Sequence, residues 1–209
     1  MTGRFVTLEG GEGVGKSTQL QALAEALRGR GLAVVTTREP GGSVGAEAIR
    51  ALLMTGSEDR WSARAEALLF AAARADHVEK LIRPALARGD WVLCDRYTDS
   101  TYAYQAVAGG IGAETVAALV ALIAAPTPDL TLVLDLDPAL GLGRAGSTAA
   151  GEARFEARDP DFHARVRAAF LEIAAGAPRR CVVLDATAAR SDVLARARAV
   201  VAQRLSIAL

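Results

Sequence analysis

The stretch Gly10-Gly11-Glu12-Gly13-Val14-Gly15-Lys16-Ser17 follows an apolar run, Phe5 to Leu8, and precedes a segment where Leu20, Leu23 and Leu27 recur at helical spacing. A strand, a glycine-rich turn closing on Gly-Lys-Ser and a helix form the context in which G-x-x-x-x-G-K-[ST] acts as a phosphate-binding loop. The chemistry accounts for the spacing. Glycines let backbone N–H groups turn inward onto phosphate oxygens, and the helix that begins near Lys16 adds the positive end of its dipole. Gly10, Gly11, Glu12, Gly13, Val14, Gly15, Lys16, Ser17 and Thr18 are therefore the expected ATP-binding positions. The Lys16 ammonium suits the β- and γ-phosphates and the Ser17 hydroxyl suits Mg²⁺. A glycine-rich turn that merely caps a helix is the alternative, and motif and context together leave it little weight.

Composition narrows the rest. The 209 residues, 51% of them apolar, suffice for one domain with a proper core. Charge is balanced at 24 acidic and 24 basic residues, which suggests neither a polyanion-coating protein nor an acidic tail, and neither a nucleic-acid polymer nor a membrane is expected as partner. No apolar run reaches the ~18 residues of a membrane span and no signal peptide is visible, so a cytoplasmic protein is expected. Cys94 and Cys181 sit in the strand-like runs WVLCD and CVVLD, a setting for small buried hydrophobes in a reducing compartment. Only Lys16 and Lys80 are lysine, so Lys16 stands out against a background of arginine. The absence of asparagine excludes N-glycosylation, the N-K-x-D of GTPases and the catalytic-loop Asn of protein kinases.

Short β-leaning runs alternate with helical periods, as in a parallel sheet covered on both faces. The expected strands are Phe5 to Leu8, Ala33 to Thr37, Trp91 to Cys94, Leu130 to Leu134 and Cys181 to Leu184, giving a five-stranded α/β fold of the P-loop NTPase type over residues 1–209. Further core faces are Phe162/Val166/Ala169/Phe170/Ile173 and Val193/Ala197/Val200/Val201. Ala145 to Ala153, small and glycine-containing, reads as a loop or as a lid over about 144–158.

A strand-terminal carboxylate is needed for the metal's water shell. Asp95 is the first choice and Asp135 the second. The segment Asp95 to Gln105 is dense in hydrogen-bonding and aromatic groups, and Thr37 to Gly42 follows a strand where an α/β sheet opens its crevice; both read as ligand surface. Between Arg64 and Ala75 the spacing puts Ala65, Leu68, Leu69 and Ala72 on one stripe, expected to face the core. Phe70 and Arg74 fall together on the opposite face, an aromatic plane beside a guanidinium that can serve a base. Packing of Phe70 against a neighbouring helix explains the same position equally well.

Taken in order, FVTLEGGEGVGKST, TTREPGG, ALLFAAARADHV, DRYTDSTYAYQ, LVLDLDP and LDAT resemble the bacterial thymidylate kinases over nearly the whole chain. The resemblance implies phosphorylation of dTMP to dTDP by Mg-ATP, a step in dTTP synthesis, by a homodimer. It implies that Arg38 and Arg96 hold the dTMP phosphate, Phe70 stacks on thymine and Arg74 donates to its 4-oxo group. Ser100, Thr101 and Gln105 then lie near the base, Tyr104 crowds the 2′ position and Glu12 approaches the 3′-hydroxyl. Ser17 and Asp95 serve the metal, and Lys16, Arg96, Asp95, Glu12 and Arg154 serve catalysis, with Arg144 and Arg158 competing for the lid position of Arg154. Another P-loop nucleoside or nucleotide kinase, or a P-loop ATPase or switch protein, is the alternative reading.

Overall fold

In the computed structural model, which describes residues 3–57, 59–145 and 153–209, five strands alternate with helices: β1 Arg4–Glu9, β2 Val34–Arg38, β3 Trp91–Asp95, β4 Leu130–Asp135 and β5 Cys181–Asp185. All pairings are parallel, in the order β2-β3-β1-β4-β5. Each strand matches its sequence expectation to within a residue at either end. Parallel neighbours need crossovers, which here are the helices on both faces.

The two faces follow the strand period of two. Val6 and Leu8, with Leu93, Leu132 and Leu134, join a cluster with Leu20, Leu23 and Leu27 of α1 (Lys16–Arg28) and with Ala197 and Val201 of the closing helix. Val133 packs on the opposite side with Phe162, Val166 and Phe170, while Phe5, Val92 and Cys94 pack with Val78, Ile82 and Tyr97. The periodic leucines of α1 are thus core, as their spacing requires.

The remaining helices are α2 (Val44–Met54), α3 (Ala63–His77), α4 (Arg83–Ala87), α5 (Thr98–Thr101), α6 (Ala113–Ile123), α7 (Pro138–Ala145), α8 (Ala153–Glu156), α9 (Pro160–Gly176) and α10 (Arg190–Leu205). The side chains of Ser43, Ser62 and Asp159 cap α2, α3 and α9 by accepting from the N–H of Ala46, Ala65 and Phe162. Two π-helical stretches, Val78–Ile82 and Tyr102–Ala108, were not anticipated. The first ends at Ile82, just before α4, whose Pro84 has no N–H to give the preceding turn; the second carries Tyr104 and Gln105.

One expectation is inverted. On α3 the stripe expected inside points outward, with Leu68 58% exposed and Ala72 exposed, while Glu66, Ala67, Ala71, Arg74 and His77 are buried. The reason is that the polar residues of the inner face each have a buried partner of opposite charge or hydrogen-bonding capacity, so burial does not leave them unsatisfied. Phe70 and Arg74 do share a face, and that face looks into the fold. The expected lid at about 144–158 falls in part on residues 146–152, which lie outside the described residues.

Candidate active site

The loop from Gly10 to Gly15 joins β1 to α1, so the first residue of the helix is Lys16. Gly10 has φ +134°, and a Cβ there would collide with the carbonyl oxygen of Leu134 on neighbouring β4, so no larger residue fits. Lys16 Nζ donates to the carbonyl oxygens of Gly11 at 2.7 Å and Gly10 at 3.3 Å. One residue further on, Ser17 Oγ donates to Asp95 Oδ2 at 2.5 Å. The sheet register makes this possible, since Asp95 closes β3 beside Leu8 of β1.

Hydroxyl and carboxylate therefore meet beside the phosphate loop, an all-oxygen set of the kind Mg²⁺ takes when nucleotide and water complete its shell. Among the described residues no group of three or more His, Cys, Asp or Glu is placed to hold a metal. Asp135, the second choice, is engaged elsewhere: Arg167 donates to its two oxygens at 2.7 and 3.0 Å. The open cleft around the loop is also lined by Arg38, Arg50, Arg144 and residues Ala186–Arg190 after β5.

A smaller cavity of about 450 Å³ adjoins it. Phe70, Arg74, Arg96, Ser100, Thr101, Tyr104 and Gln105 all line it; Arg38 lines the larger cleft instead. Glu12, Glu39 and Arg96 belong to both walls, so the two spaces meet there. Arg96, at φ +65°, donates to Gly10 O and to Glu12 Oε2, each at 2.8 Å, and lies 5.0 Å from the centre of the Tyr104 ring. The Tyr104 hydroxyl donates to the other Glu12 oxygen at 2.8 Å. Thus one carboxylate of the phosphate loop fixes both an arginine and a tyrosine of the adjoining cavity.

Three buried carboxylates have no assigned role in the sequence reading, although Glu39 lies in the stretch expected to form ligand surface. Glu9, at the end of β1, accepts from the N–H of Tyr97 at 2.7 Å and of Ser100 at 3.3 Å, and from Ser100 Oγ at 2.5 Å. Burial, reinforced by nearby Asp99, pushes its carboxyl up to about 7. Glu39 receives Arg74 Nε at 2.7 Å. Glu66 receives Gln105 Nε2 at 2.9 Å and pairs with Arg154 at 2.7 Å. Helical spacing held the signal for one of them, since Glu66, Phe70, Arg74 and His77 recur at i+4, i+4 and i+3.

The three arginines expected in the lid are separated by the fold. Arg154 has a side chain only 1% exposed, pairs with Glu66 and donates to Leu53 O at 3.3 Å and Ser57 O at 3.1 Å, so its guanidinium lies behind the smaller cavity. Arg144 lines the phosphate-loop cleft and donates to Ala186 O at 3.3 Å. Arg158 lies 5.3 Å from the centre of the Phe162 ring. Between them α8 sends Phe155 into the smaller cavity and Glu156 into the larger.

Residues 8–196 match the family model described as thymidylate kinase. The chain is 58% identical to the thymidylate kinase of Rhizorhabdus wittichii over 94% of its own length and 95% of the relative's. It is 53% identical to that of Caulobacter vibrioides over 98% and 99%. The crystal structure of thymidylate kinase from Ehrlichia chaffeensis superposes with a TM-score of 0.78 at 33% identity, covering 96% of this chain and 99% of that one. The chain belongs to the thymidylate kinase family.

Proposed function

We propose that the protein transfers the γ-phosphoryl group of Mg-ATP to dTMP, giving ADP and dTDP. The observation that carries this reading is the junction of the two cavities at Arg96 and Glu12, which puts a phosphate loop within reach of a pocket lined by Phe70, Arg74 and Tyr104. Such transfer asks for alignment and for neutralisation of charge on the moving group. Lys16 and the loop N–H groups hold the donor phosphates. Ser17 and Asp95 would hold the Mg²⁺ that accompanies the nucleotide, which would supply positive charge against the phosphate oxygens. Arg96, with Arg38 from the cleft wall, holds the dTMP phosphate at the junction.

In the acceptor pocket Phe70 stacks on thymine and Arg74 donates to the 4-oxo group, while Ser100, Thr101 and Gln105 border the base. Tyr104, tied to Glu12, stands where a ribose 2′-hydroxyl enters, and Glu12 is the partner for the 3′-hydroxyl. Arg144 is favoured as the donor-side arginine for the transition state because it lines the donor cleft, and Arg154 is assigned a supporting place behind the acceptor pocket, paired with Glu66.

A homodimer belongs to the same reading. The support is the apolar outer stripe of α3 around Leu68, with Leu122 of the adjacent α6 83% exposed; Leu68→Asp should shift the sedimenting species from dimer to monomer. A cytoplasmic location suits the two free, buried cysteines, and no helix among the described residues is long and apolar enough to cross a membrane. The function is tested by supplying Mg-ATP with dTMP, dCMP, dUMP, AMP and thymidine and measuring ADP and phosphorylated product together. dTDP in one-to-one yield with ADP is expected; ADP release without a nucleotide product would point to an ATPase.

A further inference from the structure

Beneath the acceptor pocket runs a chain of buried polar groups that phosphoryl transfer does not itself require. Glu39 follows β2 and is 4% exposed. Its oxygens are divided between two residues of α3: Oε2 accepts from Arg74 Nε at 2.7 Å, and Oε1 lies 2.9 Å from His77 Nδ1. The other ring nitrogen of His77 is 2.8 Å from Thr37 Oγ1. Arg74 and His77 are one turn apart, which lets a single carboxylate reach both. Gly42, at φ +86°, closes over the group so tightly that a Cβ would strike Thr37 Oγ1 and His77 Nε2. Arg74 itself lies 5.2 Å from the centre of the Tyr97 ring, and both side chains line the cavity.

A guanidinium is planar, with its donors in a rigid fork. Once Nε is committed to Glu39, the plane is set and so is the bearing of the terminal amino groups. A carboxylate with only one partner could still rotate and carry the arginine with it, but the imidazole holds the second oxygen and Thr37 holds the imidazole. The charge matters as well: Arg96 in the same cavity is matched by Glu12, and Glu39 matches Arg74, so the base end does not compete with the phosphate end for an anion.

We propose that Glu39 and His77 are positioning residues for base selection, fixing Arg74 as a donor toward a pyrimidine 4-oxo group. This rests on the reading of Arg74 given above. Glu39→Gln separates orientation from charge. The amide oxygen still accepts from Arg74 Nε, and its NH₂ donates to His77 Nδ1 once the imidazole proton resides on Nε2, from which it is donated to Thr37 Oγ1. Glu39→Ala removes both.

The test is kcat and KM for dTMP and dCMP in the parent, Glu39→Ala, Glu39→Gln and His77→Phe, with folding checked by circular dichroism. In Glu39→Ala the dTMP to dCMP ratio of kcat/KM should fall at least about tenfold, mainly through KM for dTMP, as loss of one buried directional contact predicts. Glu39→Gln should keep the ratio within about threefold of the parent. A folded Glu39→Ala enzyme with the parental ratio, or a glutamine variant that loses as much as alanine, overturns the proposal. If Glu39→Ala does not fold, His77→Phe decides: a ratio lowered by about threefold or more supports the role, and an unchanged ratio overturns it. A parent enzyme indifferent between dTMP and dCMP defeats the Arg74 reading and this proposal together, whereas a selective parent with an indifferent alanine variant defeats this proposal alone.

Discussion

The two halves of the site are built by opposite means. On the donor side one uninterrupted segment, Gly10 to Ser17, supplies loop, charge and hydroxyl, with Asp95 and Arg144 added from elsewhere in the chain. On the acceptor side, residues from the turn after β2, α3, α5, the π-helical stretch and α8 converge, and the arginines that line or back the pocket each meet a carboxylate from a distant part of the chain: Arg96 with Glu12, Arg74 with Glu39, Arg154 with Glu66. A contiguous motif tolerates change around it, because its geometry is local. A pocket of paired charges does not, since removing one member leaves a buried charge without compensation. The donor half should therefore fail in turnover and the acceptor half in stability and selectivity.

The largest expected effect is on the donor side. Lys16→Ala should lower kcat by about two to four orders of magnitude while leaving the unfolding midpoint near that of the parent, and Lys16→Arg should not restore it, because a planar fork cannot replace a compact ammonium within a tight loop. Steady-state kinetics beside a denaturation curve checks both halves of the statement. Near-normal turnover in either variant would remove Lys16 from the transfer step.

The arginines sharpen the contrast. Arg154→Ala leaves the Glu66 carboxylate buried without its cation and should cost about 3 kcal/mol or more of stability, as broken buried pairs do, with the chemical step changed by less than about threefold. Arg144→Ala should do the reverse, leaving stability within about 1 kcal/mol and slowing single-turnover transfer by about a hundredfold or more. Chemical denaturation and single-turnover kinetics on the two proteins separate these outcomes. The opposite pattern would return Arg154 to the donor side.

A smaller effect probes Glu9, beneath the junction of the two halves. Its carboxyl, pushed by burial from the ordinary 4.5 up to about 7, binds its proton more tightly in the folded chain. The stability this contributes is complete below about 4.5 and is lost as pH rises through about 7. Glu9→Gln cannot titrate, so between pH 5 and 7.5 it should escape a loss of up to about 2 kcal/mol that the parent suffers. Urea unfolding at the two pH values measures this directly. Parallel losses in both proteins would show that Glu9 is not the titrating group.

This division also explains what could be read from the sequence. The five strands and the phosphate loop were legible because strand period, glycine spacing and the Gly-Lys-Ser ending are local patterns. The face of α3 was not: Leu68 and Ala72 look like core by hydropathy, yet the buried face holds Glu66, Arg74 and His77, whose partners lie up to 88 residues away, as in the Glu66–Arg154 pair. Only the tertiary pairing makes their burial tolerable. Glu39 and Glu9 escaped for the same reason, as single acids at strand ends where a turn cap is an equally good explanation. Phe70 with Arg74 was legible as a pair because two residues one turn apart share a face whichever way the helix is turned.

The separation of the halves is tested most directly by titrating dTMP calorimetrically into the parent and into Lys16→Ala. If the acceptor pocket is held by its own charge pairs, the alanine variant should bind dTMP with a Kd within about threefold of the parent despite having lost turnover. A Kd weakened by more than about tenfold would show that the phosphate loop and the acceptor pocket form a single unit, contrary to this account.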